Sequence, residues 1–466
     1  MPGGGVPRLR PGGLLRAERP LRGPPGEPRT PACHPRPRPA RGVAGARAGD
    51  GLSAPPRARR GAGRRRRNHP PRTLAGDRLR PRGRGSVSGG APGVVEHLLE
   101  AAVSTGASDV HLEPSAEGAL ARLRIDGLLL PVLEVPGALR EQVVQRVKAL
   151  ADLDLAEHQR AQDGRFVHRV AERSVELRVS VVPCVFGESV VLRVLDREAT
   201  GLTLGGLGAA EEVAAALRAL VARPQGLVLV CGPTGSGKTT TLYAMLGEVD
   251  RQRRKVLTVE DPIEYELEDA VQLEVNPRFG VTFASAVRAM LRQDPDVILV
   301  GEIRDPETAL AAVEASLTGH LVLATVHATS TRAVVRRLID LGVPDYLLEE
   351  ALAAAVGQRL LRRLCRSCRR PRGAKGPSRG EEYRPGEGCR ACAGLGYRGR
   401  RAVFEVVRCN PAVARALLAG EPPPPERLAG GRDLRERARE AVARGETSRE
   451  EVERVLGEDA LGEGGA

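Results

Sequence analysis

The spacing of apolar residues along this 466-residue chain changes near residue 200. Before that point, apolar and polar residues alternate in short segments, which is typical of half-buried strands. These segments are 109–113, 120–125, 175–181 and 190–194, and helical spacing occurs at 94–103 and 139–155. After residue 211, short apolar runs alternate with helix-compatible stretches, and the runs are 227–231, 256–259, 297–300 and 321–326. This second pattern predicts a parallel sheet covered by helices.

The pattern therefore predicts an α/β protein with two folded domains. We expect a small α/β domain over 93–199, a glycine-rich linker over 200–208 and a larger domain over 209–466. Residues 1–92 lack apolar periodicity and are rich in Arg, Pro and Gly. Such a segment cannot bury enough apolar surface to offset its ordering entropy, so we predict a disordered, basic, low-complexity tail.

The charge of the chain is concentrated in this tail. Residues 1–90 contain 22 arginines and four acidic residues, but no lysine and no aromatic residue, which gives a net charge of +18. Since the whole chain carries +14, the remainder carries −4. The tail is either a basic arm for nucleic acid or anionic lipid, or the product of a translation start assigned too far upstream in a GC-rich genome. The absence of lysine and aromatic residues favours the second interpretation.

No apolar stretch reaches the roughly 18 residues that a membrane span needs, and the N-terminus lacks the apolar core of a secretory signal. We therefore expect a cytoplasmic protein without a transmembrane segment. Any association with the inner membrane would be peripheral and would run through partners.

A phosphate-binding loop follows the apolar run 227–231. The residues from Gly232 to Thr239 fit the pattern G-x-x-x-x-G-K-T between a predicted strand and a predicted helix. Its glycines let main-chain N–H groups face a polyphosphate, and Lys238 is one of only four lysines in the chain. An ordinary glycine-rich turn is the weaker alternative. The predicted nucleoside triphosphate contacts are Gly232, Pro233, Thr234, Gly235, Ser236, Gly237, Lys238, Thr239 and Thr240, with the Thr239 hydroxyl placed to hold Mg²⁺.

Three more polar clusters follow predicted strands, where parallel sheets carry their chemistry. They contain Glu260 with Asp261, then Glu302, and then His320 with His327. Taken singly, each residue would be an exposed loop acid or a hydrogen-bonded core histidine. Their positions after consecutive strands of one sheet favour a joint functional site.

Two C-x-x-C pairs indicate a metal site. Cys365 with Cys368 and Cys389 with Cys392 are separated by 20 residues, and four thiolates form a closed tetrahedral Zn²⁺ site. Redox-active or incidental cysteines are the alternatives. A closed site has no open position for substrate, so we predict structural zinc within the insertion 365–392.

The remaining elements have structural roles. Residues 396–405 are predicted to form a strand that returns to the larger domain. Near the end of the chain, Thr447 is predicted to cap a helix, with Glu450 three residues later.

From about residue 94 to residue 456 the chain resembles the type II secretion and type IV pilus assembly ATPases, the family of general secretion pathway protein E. The shared segments, besides those above, are 107–113, 124–127, 162–165, 178–180, 187–188 and Arg193. The resemblance implies a PAS-like domain joined to a RecA-like ATPase domain, a homo-hexamer, and an inner-membrane platform protein as partner. It also implies ATP, Mg²⁺ and structural Zn²⁺ as cofactors. Ser189 stands where many relatives carry arginine, and the arginine-rich tail stands where long relatives carry a docking domain.

The resemblance also implies catalytic roles. Glu302 would activate or orient the attacking water, and Arg178 and Arg193 would reach from the smaller domain toward the γ-phosphate. His320 and His327 would sense or contact the phosphate end. Gly301 occupies the position where many phosphate-loop enzymes carry a metal-holding aspartate. Glu260 or Asp261 would therefore help to complete the Mg²⁺ shell.

The sequence thus predicts an ATP hydrolase that powers assembly of a type IV pilus or of a type II secretion pseudopilus. Alternatives within the enzyme class are pilus retraction, DNA uptake and conjugation-type secretion, and the cysteine pairs disfavour retraction. A nucleic-acid-binding regulator that uses the arginine-rich tail is a further alternative, disfavoured by the nearly neutral, aromatic-poor remainder of the chain. A catalytically inactive scaffold is disfavoured by the intact Lys238, Thr239 and Glu302.

Overall fold

The computed structural model describes residues 90–170, 173–196, 203–372 and 382–461. Residues 1–89 of the predicted tail and 200–202 of the predicted linker lie outside these residues, while 90–92 already belong to the first helix. Both therefore stay predictions, as do the exact domain boundaries. Within the described residues, every helix is too short or too polar to cross a bilayer.

The first part of the chain forms a six-stranded antiparallel sheet with two helices. Its elements are α1 (Gly90–Thr105), β1 (Asp109–Pro114), β2 (Gly118–Ile125), β3 (Leu128–Pro136), α2 (Gly137–Leu150), β4 (Gln162–Val170), β5 (Arg173–Cys184) and β6 (Gly187–Asp196). The strand order is β3-β2-β1-β6-β5-β4.

Alternation along these strands separates two faces of the sheet. Val110, Leu112 and Leu192 are buried beneath α1 and α2. Their neighbours in sequence point to the other face, which carries Arg178 and Arg193 as directly opposed residues of β5 and β6. The predicted alternating segments are therefore confirmed as strands, while a PAS-like assignment stays a prediction.

The second part is built on a seven-stranded mixed sheet. Its elements are α3 (Glu211–Val221), β7 (Gly226–Cys231), α4 (Lys238–Leu246), β8 (Val256–Glu260), β9 (Ala270–Glu274), α5 (Phe283–Met290), β10 (Val297–Ile303), α6 (Pro306–Leu317), β11 (Leu321–Val326), α7 (Thr331–Asp340), α8 (Asp345–Ala351), β12 (Leu352–Leu364), β13 (Arg370–Pro371), β14 (Tyr383–Arg384), β15 (Tyr397–Arg408), α9 (Pro411–Leu418), α10 (Leu434–Ala443) and α11 (Arg449–Leu456).

The strand order of this sheet is β15-β12-β7-β11-β10-β8-β9. All neighbouring pairs are parallel except β12 with β15, which makes the predicted returning strand an antiparallel edge. Every residue of β7 and β11 is buried, as expected for central strands covered on both faces. The four predicted strands of this domain are confirmed, and β9 and β12 are added to them.

One predicted helix cap is wrong by one residue. Ser448, not Thr447, caps α11, since its hydroxyl accepts a hydrogen bond from the N–H of Glu451 at 3.3 Å. The Thr447 hydroxyl instead donates to the main-chain oxygen of Arg362 at 2.8 Å. The two hydroxyls are adjacent in sequence, and only the path of β12 beside the turn decides which of them caps the helix.

Candidate active site and cysteine cluster

The phosphate loop lies between β7 and α4. Gly235 and Gly237 have φ angles of +74° and +84°, the left-handed conformation that glycine adopts without strain. Gly237 is the residue before α4, so the N–H groups of the first turn of the helix point toward the loop. The predicted strand–loop–helix context is therefore present.

Lys238 is the buried cation of the loop. Its side chain points back into the loop, where Nζ donates to the carbonyl oxygens of Gly232 at 3.0 Å and Pro233 at 3.2 Å. Burial lowers the pKa of Lys238, while the Glu302 carboxylate acts to raise it. Glu302 therefore lies close enough to Lys238 for the two charges to interact.

Glu302 lies near the end of β10, two strands away from β7. The pairing of β10 with β11 shifts register between Val300 and Ile303, and such a bulge redirects the side chains within it. The Glu302 side chain is 12% exposed and pairs with Arg304 and, at 3.5 Å, with His327 Nε2. The structure thus brings Glu302, His327 and Lys238 together at the carboxyl ends of β7, β10 and β11.

Gly301 allows β10 to approach β8 closely. A Cβ atom at this position would lie 3.2 Å from the carbonyl oxygen of Val259 and 3.3 Å from Cα of Glu260. The Gly301 carbonyl oxygen also accepts a hydrogen bond from the Thr325 hydroxyl at 2.6 Å. A metal-holding aspartate at this position would crowd the neighbouring strand.

Glu260, the last residue of β8, is held in a hydrogen-bond network. It is 2% exposed, and its carboxylate accepts from the hydroxyls of Tyr243 at 2.5 Å and Thr258 at 2.7 Å and from Gln272 Nε2 at 3.2 Å. These donors belong to α4, β8 and β9, so Glu260 links three elements. Asp261, the next residue, is exposed at the end of β8.

The two histidines lie at opposite ends of β11. His327 follows the last residue of β11, whereas His320 precedes the first, and the six residues between them span about 20 Å. His320 Nδ1 donates to the Ala315 carbonyl oxygen at 2.9 Å, and the His320 carbonyl oxygen accepts from the Gly226 N–H at 3.1 Å. Gly226 is the first residue of β7, whereas the phosphate loop follows the last residue of β7. The structure therefore does not bring His320 to the nucleotide site.

The arginine pair on the antiparallel sheet faces the loop after β8. Arg178 Nη2 donates to the Ile263 carbonyl oxygen at 2.7 Å. Burial raises the pKa of Glu264, and the nearby Arg178 and Arg193 act to lower it. Arg193 also pairs with Asp109 at 3.1 Å. Both arginines therefore lie where the two sheets of the protein approach each other.

Sequence reasoning missed two residues of β12. Gln358 is 1% exposed; its Oε1 accepts from the Thr241 hydroxyl at 2.8 Å, and its Nε2 donates to the Gly237 carbonyl oxygen at 3.2 Å. The neighbouring Arg359 is close enough to Lys238 to contribute to the lowering of its pKa. No local pattern marks these residues, because only the parallel pairing of β12 with β7 brings them to the loop.

The four predicted zinc ligands form one cluster, with all Sγ atoms within 4.8 Å of one another. Three separations are Cys365–Cys389 at 3.7 Å, Cys368–Cys392 at 3.8 Å and Cys389–Cys392 at 3.8 Å. A tetrahedron with Zn–S bonds of about 2.3 Å has edges of about 3.8 Å. The N–H groups of Cys389 and Gly396 also donate to Cys392 Sγ at 3.2 and 3.3 Å. These thiols therefore fit a structural Zn²⁺ ion.

The comparisons with known proteins agree with the resemblance. The family model described as "Type II/IV secretion system protein" matches residues 90–454. "Type II secretion system protein HxcR" of Pseudomonas aeruginosa is 45% identical over 372 residues, which cover 78% of either chain. "Type II secretion system ATPase E" of Vibrio cholerae is 42% identical over 377 residues, which cover 78% of this chain and 75% of that protein.

Solved structures show a similar fold. The pilus retraction motor PilT with bound ADP has a TM-score of 0.52 and 26% identity, covering 77% of this chain and 95% of that one. The Legionella pneumophila ATPase DotB has a TM-score of 0.58 and 24% identity, covering 77% and 94%, and so supports the fold alone. The predicted secretion or pilus ATPase is thereby confirmed, and the chain belongs to the type II/IV secretion system protein family.

Proposed function

We propose that the protein hydrolyses ATP between the phosphate loop and Glu302, and that it uses the energy to power assembly of a type II secretion pseudopilus or a type IV pilus. The observation that supports this site best is the shared location of three groups at one sheet edge. Lys238 interacts with Glu302, and Glu302 pairs with His327. Hydrolysis of a γ-phosphate requires such a cation beside a group that can position water.

Lys238 is the phosphate-binding cation of this proposal. Its ammonium group, which donates to Gly232 and Pro233, is within reach of an anion cradled by the same loop. The half-buried Thr239 lies in the first turn of α4, where its hydroxyl would hold Mg²⁺. Mg²⁺ held there would supply positive charge that neutralises part of the charge of the phosphates.

Glu302 is the proposed general base or water-orienting residue. Its carboxylate is mostly buried, and its pairing with Arg304 and His327 fixes its direction. A carboxylate oxygen held in this way can accept a hydrogen bond, and then a proton, from a water molecule that attacks the γ-phosphate. His327 is 49% exposed at the same edge, so it is the histidine of the pair that can contact the phosphate end.

Glu260 has a supporting role in the proposed mechanism. Its two oxygens already accept hydrogen bonds from three side chains. The exposed Asp261 is therefore the better candidate to join the Mg²⁺ shell through water. By holding α4 to β8 and β9, Glu260 would keep the phosphate loop in place.

Arg178 and Arg193 are proposed to couple the nucleotide to movement of the smaller domain. Arg178 already contacts the loop after β8 through Ile263, and both arginines interact with Glu264. A γ-phosphate near this loop would add negative charge that attracts both guanidinium groups. Its loss on hydrolysis would weaken that attraction, which is how domain closure can follow nucleotide state.

The wider assignment follows from family membership and is part of the proposal. We propose a homo-hexamer on the cytoplasmic side of the inner membrane, which delivers force to a membrane-embedded platform protein. We also propose that the cysteine cluster binds one structural Zn²⁺ per chain, since it has four ligands and no open position.

Three variants test the proposed site. Lys238→Ala should abolish nucleotide binding, because the loop loses its phosphate cation. Glu302→Gln should retain binding and lose turnover by at least about 100-fold, the range typical of a lost general base. Glu307→Gln is the matched control, since Glu307 is exposed in the first turn of the following helix. Equal turnover in Glu302→Gln and the control would remove Glu302 from its role.

A further inference from the structure

A cleft of about 300 Å³ lies beside the cysteine cluster, at the end of β12 distant from the phosphate loop. Its walls are the end of β12, the first cysteine pair and the turn after α10. It is lined by Leu364, Gly445, Glu446 and the four arginines Arg363, Arg366, Arg369 and Arg444. Gly357 of β12 pairs with Cys231 at the phosphate loop. Arg363 lies six positions further along the strand, a distance of about 20 Å.

The positive charge of this cleft exceeds the negative charge available to it. The lining carboxylate of Glu446 pairs with Arg401. Among the described residues, Arg444 forms an ion pair with Glu440 alone, at 3.8 Å. Arg363 and Arg366 are exposed, and neither forms an ion pair with any residue in the part of the chain that the structure describes.

The neighbouring Arg401 independently indicates this excess of charge. Burial lowers the pKa of Arg401, and repulsion from Arg444 and Arg363 lowers it further. Glu440 opposes the effect. Two lining arginines therefore lie near enough to Arg401 for their positive charges to act on it.

The walls of the cleft are held rigidly. Arg369 Nη1 donates to the Gly445 carbonyl oxygen at 2.6 Å, and its guanidinium lies 4.3 Å from the centre of the Tyr383 ring. The N–H of Leu364 donates to the Glu446 carbonyl oxygen at 2.9 Å. These contacts join β12 to the turn after α10, so the backbone of the walls and the Arg369 side chain need little reorganisation to receive a ligand.

We propose that this arginine cleft binds a phosphate monoester or diester group, at a site separate from the ATP site. Planar guanidinium groups pair with phosphate oxygens through two parallel hydrogen bonds, and several arginines around one cavity suit a compact anion with several oxygens. The volume accommodates a phosphate group with a small substituent and excludes a folded element. The phosphate can be free in solution or belong to a lipid headgroup, and both sources have the same chemistry.

The test uses the full-length protein saturated with Mg-ADP, so that the phosphate loop is already occupied. Binding of glycerol 3-phosphate is measured by calorimetry. Sedimentation is measured with vesicles of phosphatidylglycerol and phosphatidylcholine, and with vesicles of phosphatidylcholine alone. Arg366→Gln is compared with Arg390→Gln, because these arginines hold the same place in the two C-R-x-C pairs and only Arg366 lines the cleft.

We expect Arg366→Gln to weaken binding about tenfold or more and Arg390→Gln to change it less than twofold, with affinity falling as salt rises. Binding of glycerol 3-phosphate identifies a free phosphate compound as ligand. Binding of phosphatidylglycerol vesicles alone identifies the headgroup when Arg366→Gln weakens it, because binding through the basic tail would be the same in both variants. Equal weakening in both variants, or no binding by the parent protein to either probe, overturns the proposal.

Two further variants separate this site from the others. Arg363 lies outside the cysteine pairs. If Arg366→Gln proves to release zinc, Arg363→Gln should still show the same loss of probe binding. Lys238→Ala should lose ATP turnover and keep probe binding, so failure of the cleft and failure of the ATP site are distinguishable.

Discussion

Replacing Glu451 with glutamine should destabilise the protein strongly, because this carboxylate joins the C-terminal helices to β12. Glu451 is fully buried, and it accepts hydrogen bonds from Arg362 Nη2 at 2.6 Å and from the Arg362 N–H at 3.1 Å. Arg454 Nη2 donates to it at 2.6 Å. Arg362 is 12% exposed and also lies 4.2 Å from the centre of the Tyr397 ring.

The magnitude follows from the burial of the two arginines. Glutamine keeps the size of the side chain but leaves the Arg362 cation without its counter-charge. Removing one partner of a buried pair costs about 3–5 kcal/mol. Arg454 is 50% exposed, so water screens its charge and its share of the loss is small. We therefore expect a loss of about 3 kcal/mol or more, a large part of the roughly 5–15 kcal/mol that stabilises a typical domain.

The assay is urea unfolding followed by far-ultraviolet circular dichroism. Glu450→Gln is the matched control, since Glu450 is 52% exposed and its partner Arg372, at 3.2 Å, is 47% exposed. An exposed pair contributes less than about 1 kcal/mol, so the control should unfold close to the parent protein. Equal shifts in the two variants, or a shift below about 1 kcal/mol for Glu451→Gln, would refute the reasoning.

The pH dependence provides a second readout. Burial acts to raise the pKa of Glu451, but hydrogen bonds from Arg454 and Arg362 outweigh it and hold the pKa below the usual value of 4.5. A carboxyl group with a lowered pKa in the folded state contributes stability above its unfolded pKa, and this stability is lost as the pH falls through the folded pKa. The difference between the parent protein and Glu451→Gln should therefore be full at neutral pH and shrink below about pH 4.

Three other substitutions test separate parts of the structure. Cys365→Ser should release zinc in a metal assay and lower the melting temperature, while nucleotide affinity measured by titration stays unchanged; a fully folded, metal-free parent protein would contradict the zinc assignment. Gln358→Ala should weaken nucleotide binding and lower stability, because the buried groups it leaves without partners cost about 1–3 kcal/mol each; an unchanged dissociation constant for ATP would show that β12 does not position the loop. Gly301→Ala should lower stability and turnover, since its Cβ would lie 3.2 Å from the Val259 carbonyl oxygen; full activity would show that β8 can shift.

Much of the site was predictable because its signals are local. The phosphate loop requires glycines and a lysine at fixed spacing, and the cysteine cluster is marked by two C-x-x-C pairs. The fully apolar runs before the loop and before Glu302 predicted buried parallel strands, and β7 and β10 confirm them. Each of these inferences depends on residues within one short segment of the chain.

The position of Glu260 and His320 was not predictable from sequence. Glu260 ends β8 and His320 precedes β11, so the sequence pattern placed both with the site. The hydrogen bonds of Glu260 to Tyr243, Thr258 and Gln272 depend on β9 and α4, which offer donors beside the end of β8. His320 precedes its strand, and parallel strands carry their phosphate chemistry at the opposite end.

The chemical groups of this protein could be predicted from local sequence patterns: which residues can hold a polyphosphate, which cysteines can hold a metal ion and which segments form strands. Which of these groups come together depends on the three-dimensional packing of the chain. The insertion of β11 between β7 and β10 sets the distance from Lys238 to Glu302, and the pairing of β12 with β7 brings Gln358 to the loop. Strand order depends on packing between segments far apart in sequence, and local hydrophobic periodicity carries no record of it.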